Sequence, residues 1–186
     1  MYNPRAFGKQ LYILSPFNND VLNNNDDTNE VTHSLNVDVS KWNVSKCTNF
    51  AYLFYECYQF NCDLSEWDMS RAETLEQMFT FCMEFNSDLS KWDTINVRKT
   101  TGMFNKCLSF DFNTIVNWDV AGVTDVSYMF ANLGTKLSEE NIDLSNLWFY
   151  SIHNPVCNAF DKTYLDEDKR PYVSDRGGKK HTCRLQ

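Results

Sequence analysis

Apolar residues recur along the middle of the chain with a period of about 25 residues, a length found in solenoid repeats. Tryptophans mark the phase, with gaps of 25, 25 and 26 residues, and a fifth copy follows with Leu147 or Trp148 at that position. The four tryptophans are Trp42, Trp67, Trp92 and Trp118. This regular spacing predicts a repeat architecture for the middle of the chain.

Further apolar residues stand at fixed distances from each tryptophan. A phenylalanine follows twelve residues later, and a cysteine follows three residues after it, replaced by Leu133 in the fourth copy. These positions are Phe54, Phe79, Phe104 and Phe130, with Cys57, Cys82 and Cys107. Together with the tryptophans they are the predicted core of the repeats, with one side chain stacked above the next.

Within one repeat the pattern predicts a short helix followed by a short strand. Apolar residues at 75, 78, 79 and 82 have the spacing of one helix face. Residues 85–92 carry separated apolar anchors, which suit a strand or an extended run. Stacked copies would place the strands in a parallel ladder. We therefore predict an α/β solenoid of the leucine-rich-repeat type over residues 35–148, with about four to five coils.

The flanking segments differ from the repeats. Residues 1–34 are predicted to form an N-terminal arm or cap with an Asn-rich link, and residues 149–186 a C-terminal cap and a basic tail. We expect the tail to be solvated, the alternative being that it docks on an acidic partner or on the protein's own acidic body. Caps are expected because the end of a solenoid exposes apolar surface. The apolar residues expected to cap the C-terminal end are Phe149, Tyr150, Ile152, Phe160 and Tyr164.

Composition excludes several classes of protein. A hydrophobic fraction of 42% argues against a disordered chain, and a net charge of −8 argues against a general nucleic-acid binder. No apolar run approaches the roughly 18 residues of a membrane helix. The start at Met1 lacks the pattern of a secretory signal, so we expect synthesis in the cytosol without a signal peptide.

The cysteines and the repeated aspartates each have a structural and a chemical interpretation. Cys57, Cys82 and Cys107 are expected to be reduced, buried fillers, the alternative being a thiolate or metal ladder. Asp68, Asp93 and Asp119 each follow a tryptophan. We expect them to accept a local backbone N–H in a turn, the alternative being a cation bound between coils.

Residues typical of catalysis do not follow the repeat. The histidines are His33, His153 and His181, and none falls at a repeat phase. Cys157 near His153, and Cys183 near His181, are weak candidates for a catalytic pair or a metal site. We predict no enzyme activity, no cofactor, no metal and no small-molecule substrate.

Charged residues offer candidates for partner binding. Lys41, Glu66 and Lys91 precede successive tryptophans, and they form either an ordinary solvated stripe or a surface that a partner recognises. The terminal segments add further candidates, because one is apolar and the other basic. These are Phe7, Leu11 and Tyr12 at the start, and Lys169, Arg170, Arg176, Lys179 and Lys180 at the end.

The repeat resembles a known family. The pattern F-N-x-D-L-S-x-W-D, followed by M-F-x-x-C, is best copied in residues 60–82 and 85–107. It is similar to that of the BspA-like leucine-rich-repeat surface proteins, whose repeat is also described as a mycoplasma lipoprotein repeat of unknown function. Similar repeats occur in proteins of large DNA viruses. The resemblance implies a solenoid used for adhesion, surface display or binding, and it supplies no catalytic residues.

These observations lead to two functional hypotheses. The first is a structural or protein-binding module docked in a larger assembly, for instance as a minor capsid-type component of a virus particle. The second is a secreted or cell-surface adhesin. Other proteins are the expected partners in both cases.

Overall fold

Successive repeats of the chain are joined by a regular series of backbone hydrogen bonds. The computed structural model describes residues 38–150, 158–174 and 180–182. The N–H of Phe54 donates to the carbonyl of Met78 (3.0 Å), and the N–H of Phe79 donates to that of Met103 (3.1 Å). Phe104 continues the series onto Met129 at 3.0 Å. In this segment each repeat gives N–H groups to the repeat that follows it, whereas Arg98 and Thr124 donate their N–H groups to the preceding repeat.

The segment predicted to be a short helix in each repeat is instead a run of turns. In the first repeat the N–H groups of Leu53 and Cys57 donate to the carbonyls three residues earlier. Tyr52 and Glu56 take left-handed conformations, with φ of 61° and 58°, and Gln77 and Phe81 repeat this in the next copy. A helix cannot form because alternate N–H groups are already bonded to the neighbouring repeat.

Residues 85–92, predicted to be a strand or an extended run, do not form a strand. The Asp88 carboxylate accepts the N–H of Ser90 at 2.9 Å, and Trp92 donates its N–H to the carbonyl of Leu89 at 3.1 Å, so this segment turns. Parallel bridges form elsewhere, at the start of the turn segment. They are single-residue bridges that join Asn49 to Thr74, Thr74 to Lys99 and Lys99 to Asp125.

Regular elements are few and short in the described residues. The α-helix α1 spans Lys136–Glu139, and 3-10 helices span Phe112–Ile115 and Glu167–Lys169. Strand β1 (Trp148–Tyr150) pairs in parallel with β2 (Tyr172–Ser174), which pairs antiparallel with β3 (Lys180–Thr182). In this small sheet Trp148 lies opposite Tyr172, and Tyr172 opposite Thr182.

Aromatic side chains fill the interior. Phe79 stacks on Phe54 and on Phe104, with ring centroids 5.7 and 6.0 Å away. Phe85 lies 4.1 Å from Phe79 and belongs to a second stack, between Phe60 at 5.8 Å and Phe110 at 5.5 Å. Stacked pairs of this kind add about 0.5–1.5 kcal/mol each beyond the burial of their area. The result is a compact domain with a large buried aromatic cluster.

The tryptophans connect repeats through their indole N–H groups. Trp67 donates to the carbonyl of Val39 at 3.1 Å, and Trp118 donates to that of Leu89 at 3.0 Å. Both are almost fully buried, whereas Trp42 in the first repeat is only partly buried. Each of these carbonyls also accepts the backbone N–H of the tryptophan in its own repeat, so the indole adds a second hydrogen bond that joins the two repeats.

The C-terminal segment begins as part of the folded domain rather than as a solvated tail. Arg170 is buried and donates its Nε–H to the carbonyl of Leu165 at 2.7 Å. Lys169 donates to Asn141 and lies 3.6 Å from the carboxylate of Asp166. The expectation of a solvated tail from Lys169 is therefore wrong for its first residues, because these cations have partners within the fold.

Candidate protein-binding surface

The turn segments of the first two repeats carry aromatic side chains on their outer side. Tyr52 is 44% exposed, and Tyr55, Tyr58 and Phe81 are partly buried. These four residues are called the aromatic surface below. Exposed aromatic residues are enriched in protein interfaces, because they supply large contact area with few rotatable bonds.

Ring contacts hold the aromatic surface together across the two repeats. The ring of Tyr55 lies 5.7 Å from that of Tyr52 and 6.3 Å from that of Phe81, which it meets edge-on. Tyr58 lies 6.2 Å from Phe81. The four rings are thus in mutual contact and present one continuous surface.

The backbone conformation places two of these rings. Tyr52 and Phe81 have φ of 61° and 65°, in the left-handed region that costs a residue with a Cβ about 1–2 kcal/mol. In the third repeat glycine occupies the position equivalent to Tyr52. Gly102 has φ of 62°, and a Cβ placed there would lie 2.6 Å from Nε2 of Gln77.

Carboxylates surround the aromatic surface. Residues 51–59 and 76–84 include Glu56, Glu76 and Glu84 but no Lys, Arg or His. The Tyr52 hydroxyl donates to Oε1 of Glu76 at 3.1 Å. Partial burial, and then the charge and hydrogen bond of Glu76, raise the pKa of the Tyr52 phenol. The hydroxyl therefore stays protonated at neutral pH and holds the Glu76 carboxylate beside the ring.

One cation already lies on this surface. Nζ of Lys106, from the third repeat, is 4.6 Å from the centroid of the Phe81 ring. This distance is within the range of a cation–π interaction.

Sequence reasoning missed the aromatic surface. Its members lie outside the tryptophan, phenylalanine and cysteine phases of the repeat, so they did not enter the alignment of copies. Four aromatic residues between positions 51 and 82 that do not follow the core phases were the available signal.

The predicted charged stripe is formed only in part. Nζ of Lys91 lies 2.6 Å from Oε1 of Glu66, with both side chains about two-thirds exposed. Among the described residues no ion pair joins Lys41 to Glu66. An exposed pair of this kind contributes about 0–1 kcal/mol to stability.

A shallow polar depression of about 400 Å³ lies beside Lys91 and includes Asn61 and Asn86 among its lining residues. Oδ1 of Asn61 accepts the N–H of Asn86 at 2.9 Å, and Oδ1 of Asn86 accepts the N–H of Asp111 at the same distance. These amides join neighbouring repeats, so the asparagine of the F-N pattern has a structural role.

The repeated aspartates accept local N–H groups. Asp68, Asp93 and Asp119 each accept the N–H of the residue two positions later at 3.1 Å. The bonds from the Ser70 hydroxyl and N–H lower the pKa of Asp68. Within the described ranges no group of three His, Cys, Asp or Glu side chains could hold a metal ion.

The repeated cysteines are buried free thiols. Cys82 donates to the carbonyl of Phe54 at 3.0 Å, and Cys107 donates to that of Phe79 at 2.9 Å. Burial raises the pKa of Cys57 to about 12. The thiols are therefore protonated at neutral pH, which suits neither a nucleophile nor a metal ligand.

The remaining predicted residues give little structural information. Strand β3 includes Lys180 and His181, of which only the backbone is described. Phe160 is buried and stacks on Phe130 at 5.1 Å, whereas Tyr164 is 54% exposed. Several candidates lie outside the described residues: Phe7, Leu11, Tyr12, His33, Ile152, His153, Cys157, Arg176, Lys179 and Cys183.

No helix in the described part of the chain is long and apolar enough to cross a membrane. No curated protein and no solved structure matches the chain. Residues 15–145, which contain the repeats from Trp42 to Trp118, match a family described as "Mycoplasma protein of unknown function, DUF285". With most of its length matched, the chain belongs to the DUF285 family.

Proposed function

We propose that the chain is a non-enzymatic, protein-binding repeat module built as a short solenoid of the BspA-like, leucine-rich-repeat type. The single-residue parallel bridges from Asn49 to Asp125 and the repeated backbone hydrogen bonds between neighbouring copies support the solenoid. Such a module has a rigid core and varies its surface residues to bind partners.

The aromatic surface is the observation that carries the binding role. Tyr52 and Phe81 hold left-handed conformations at the surface, and both contact the ring of Tyr55. Burial of these rings against a partner would remove apolar area from water, which is the main driving force of association.

The module works inside a larger assembly, for example as a minor capsid-type component of a virus particle. The terminal segments, with the apolar Phe7 and Leu11 at one end and the basic Arg176 and Lys179 at the other, supply additional contacts. The alternative is a secreted or cell-surface adhesin, which the resemblance to surface proteins favours.

Affinity capture from the native source tests the binding role. The immobilised chain is compared with Tyr58→Ser and with the control Tyr164→Ser, which alters a 54% exposed tyrosine in the C-terminal part. We expect a protein that the wild type and the control retain and that Tyr58→Ser loses. Equal retention by all three folded proteins would contradict a binding role for the aromatic surface.

Fractionation of the native source into particles and cells distinguishes an assembly component from a cell-surface adhesin. Recovery of the chain in purified particles, protected from added protease, supports the assembly component. Protease-sensitive chain on intact cells supports the adhesin. Deletion of residues 1–17, and separately Arg176→Gln with Lys179→Gln, tests the terminal segments, because either change should reduce incorporation into the assembly.

A further inference from the structure

We infer that the aromatic surface and the carboxylates around it form a binding site for an Arg- or Lys-rich segment of a protein partner. The inference rests on the proposed binding function and adds the chemistry of the ligand. Its basis is a cluster of aromatic rings framed by acidic side chains on one side of the first two repeats.

The charge around the rings selects for a cation. Three glutamates and no basic residue lie within residues 51–59 and 76–84. A basic side chain entering this surface gains attraction from Glu56, Glu76 and Glu84, whereas an acidic one is repelled. The net charge of −8 adds a long-range attraction for basic segments.

The rings themselves favour a cation over an apolar ligand. A guanidinium or ammonium group is attracted to the face of an aromatic ring, and its aliphatic stem packs on the apolar edge. Tyr52 holds Glu76 beside its ring through the 3.1 Å hydrogen bond, so the ring and the carboxylate are positioned to contact one side chain together.

The third repeat provides an internal example of this contact. Lys106 places its ammonium group 4.6 Å from the centre of the Phe81 ring. In the preceding copy the equivalent residue is Phe81 itself, and in the first copy it is Glu56. The first two repeats therefore offer rings and carboxylates but supply no cation of their own at this position.

The test measures binding of a fluorescent peptide of alternating Arg and Ser by anisotropy, with a peptide in which Gln replaces Arg as the reference. Glu76→Gln removes one carboxylate from the site, and the control Glu66→Gln removes the carboxylate that pairs with Lys91. We expect Glu76→Gln to weaken binding by about two- to five-fold and the control to leave it nearly unchanged.

A second pair of variants tests the rings. Tyr52→Asn keeps a residue that tolerates the left-handed conformation, and Tyr164→Asn is its matched control. We expect weaker binding of the Arg peptide by Tyr52→Asn alone, with unchanged circular dichroism showing that the variant is folded.

Three results would overturn the inference. The first is equal weakening by Glu76→Gln and Glu66→Gln, which would show attraction to net charge only. The second is equal affinity for the Arg and Gln peptides. The third is tighter binding after Arg176→Gln with Lys179→Gln, which would mean that the chain's own tail occupies the surface. If affinity capture still recovers a protein partner in any of these three cases, the proposed protein-binding function stands and only the preference for a basic ligand fails.

Discussion

The indole N–H of Trp92 donates a 3.0 Å hydrogen bond to the backbone carbonyl of Leu64 in the preceding repeat. Trp67 and Trp118 make the same bond to Val39 and Leu89. The tryptophan of each of these repeats therefore packs in the core and also links two copies of the repeat. This dual role explains why tryptophan, rather than another large apolar residue, marks the phase.

Trp92→Phe should lower the free energy of unfolding by about 0.5–1.5 kcal/mol, because the indole hydrogen bond is lost while the N–H of Trp67 still pairs the carbonyl of Leu64. Urea denaturation followed by circular dichroism measures the change. Tyr164→Phe, at an exposed position, is the control and should change stability by less than about 0.5 kcal/mol. Wild-type stability of Trp92→Phe would show that the indole hydrogen bond adds nothing to the stability of the fold.

Phe79→Ala should destabilise the domain by about 3–5 kcal/mol, the usual range for a fully buried phenylalanine. Phe79 is completely buried and contacts Phe54, Phe85 and Phe104. The measurement is a thermal or urea melt, with Tyr164→Ala as the exposed control. An unchanged melting curve would mean that the phase of the repeat is wrongly assigned.

Gly102→Ala should cost more than the roughly 1 kcal/mol typical of a left-handed residue, because the new Cβ also collides with Gln77. The double variant Gly102→Ala with Gln77→Ala removes that collision and should recover part of the lost stability. Equal stability of the single and double variants would contradict the close contact at 2.6 Å.

The thiol of Cys57 should react slowly with a disulfide reagent in the folded protein and quickly after denaturation. Burial raises its pKa from the reference 9.0 to about 12. The folded state therefore favours the protonated thiol. Its contribution to stability is complete below pH 9.0 and declines as pH rises toward about 12, where the unfolded thiol is ionised and the folded one is not.

Cys57→Ala is the control for that pH dependence, because other groups also titrate in this range. Its free energy of unfolding should fall less steeply between pH 9.0 and about 12 than that of the wild type. Rapid labelling of Cys57 in the native protein, or an identical pH slope in the variant, would argue against a buried thiol.

The repeated tryptophan and phenylalanine positions are mostly buried, as the sequence predicts, but their spacing does not determine the backbone conformation. Leu75, Met78 and Phe79 point inward from a run of turns just as they would from a helix. The feature that excludes the helix is the left-handed conformation of Gln77 and Phe81, and neither residue type signals it. Gly102, the equivalent of Gln77 in the third copy, is of a residue type that does indicate a left-handed turn.

The aromatic surface could not be predicted because the repeat alignment retains what the copies share. Tyr58 aligns with Met83 and Leu108, and Tyr52 aligns with Gln77 and Gly102, although Tyr128 repeats the tyrosine in the fourth copy. Residues that bind partners are expected to vary between copies in this way. The alternating charges of Lys41, Glu66 and Lys91 predict a stripe of neighbouring side chains. Of these three, the structure pairs Glu66 with Lys91 and does not pair it with Lys41. Charge alternation in sequence therefore identified neighbouring positions without indicating a binding surface.

Photo-crosslinking from position 52 in the native source tests whether the aromatic surface contacts a protein partner. Tyr52 is replaced by the photoreactive residue benzoylphenylalanine, and Tyr164 is replaced in the same way as the control. We predict a covalent adduct with one protein from position 52 that is absent from position 164. The same adducts from both positions, or none from position 52 in a folded and incorporated protein, would contradict a binding role for the aromatic surface.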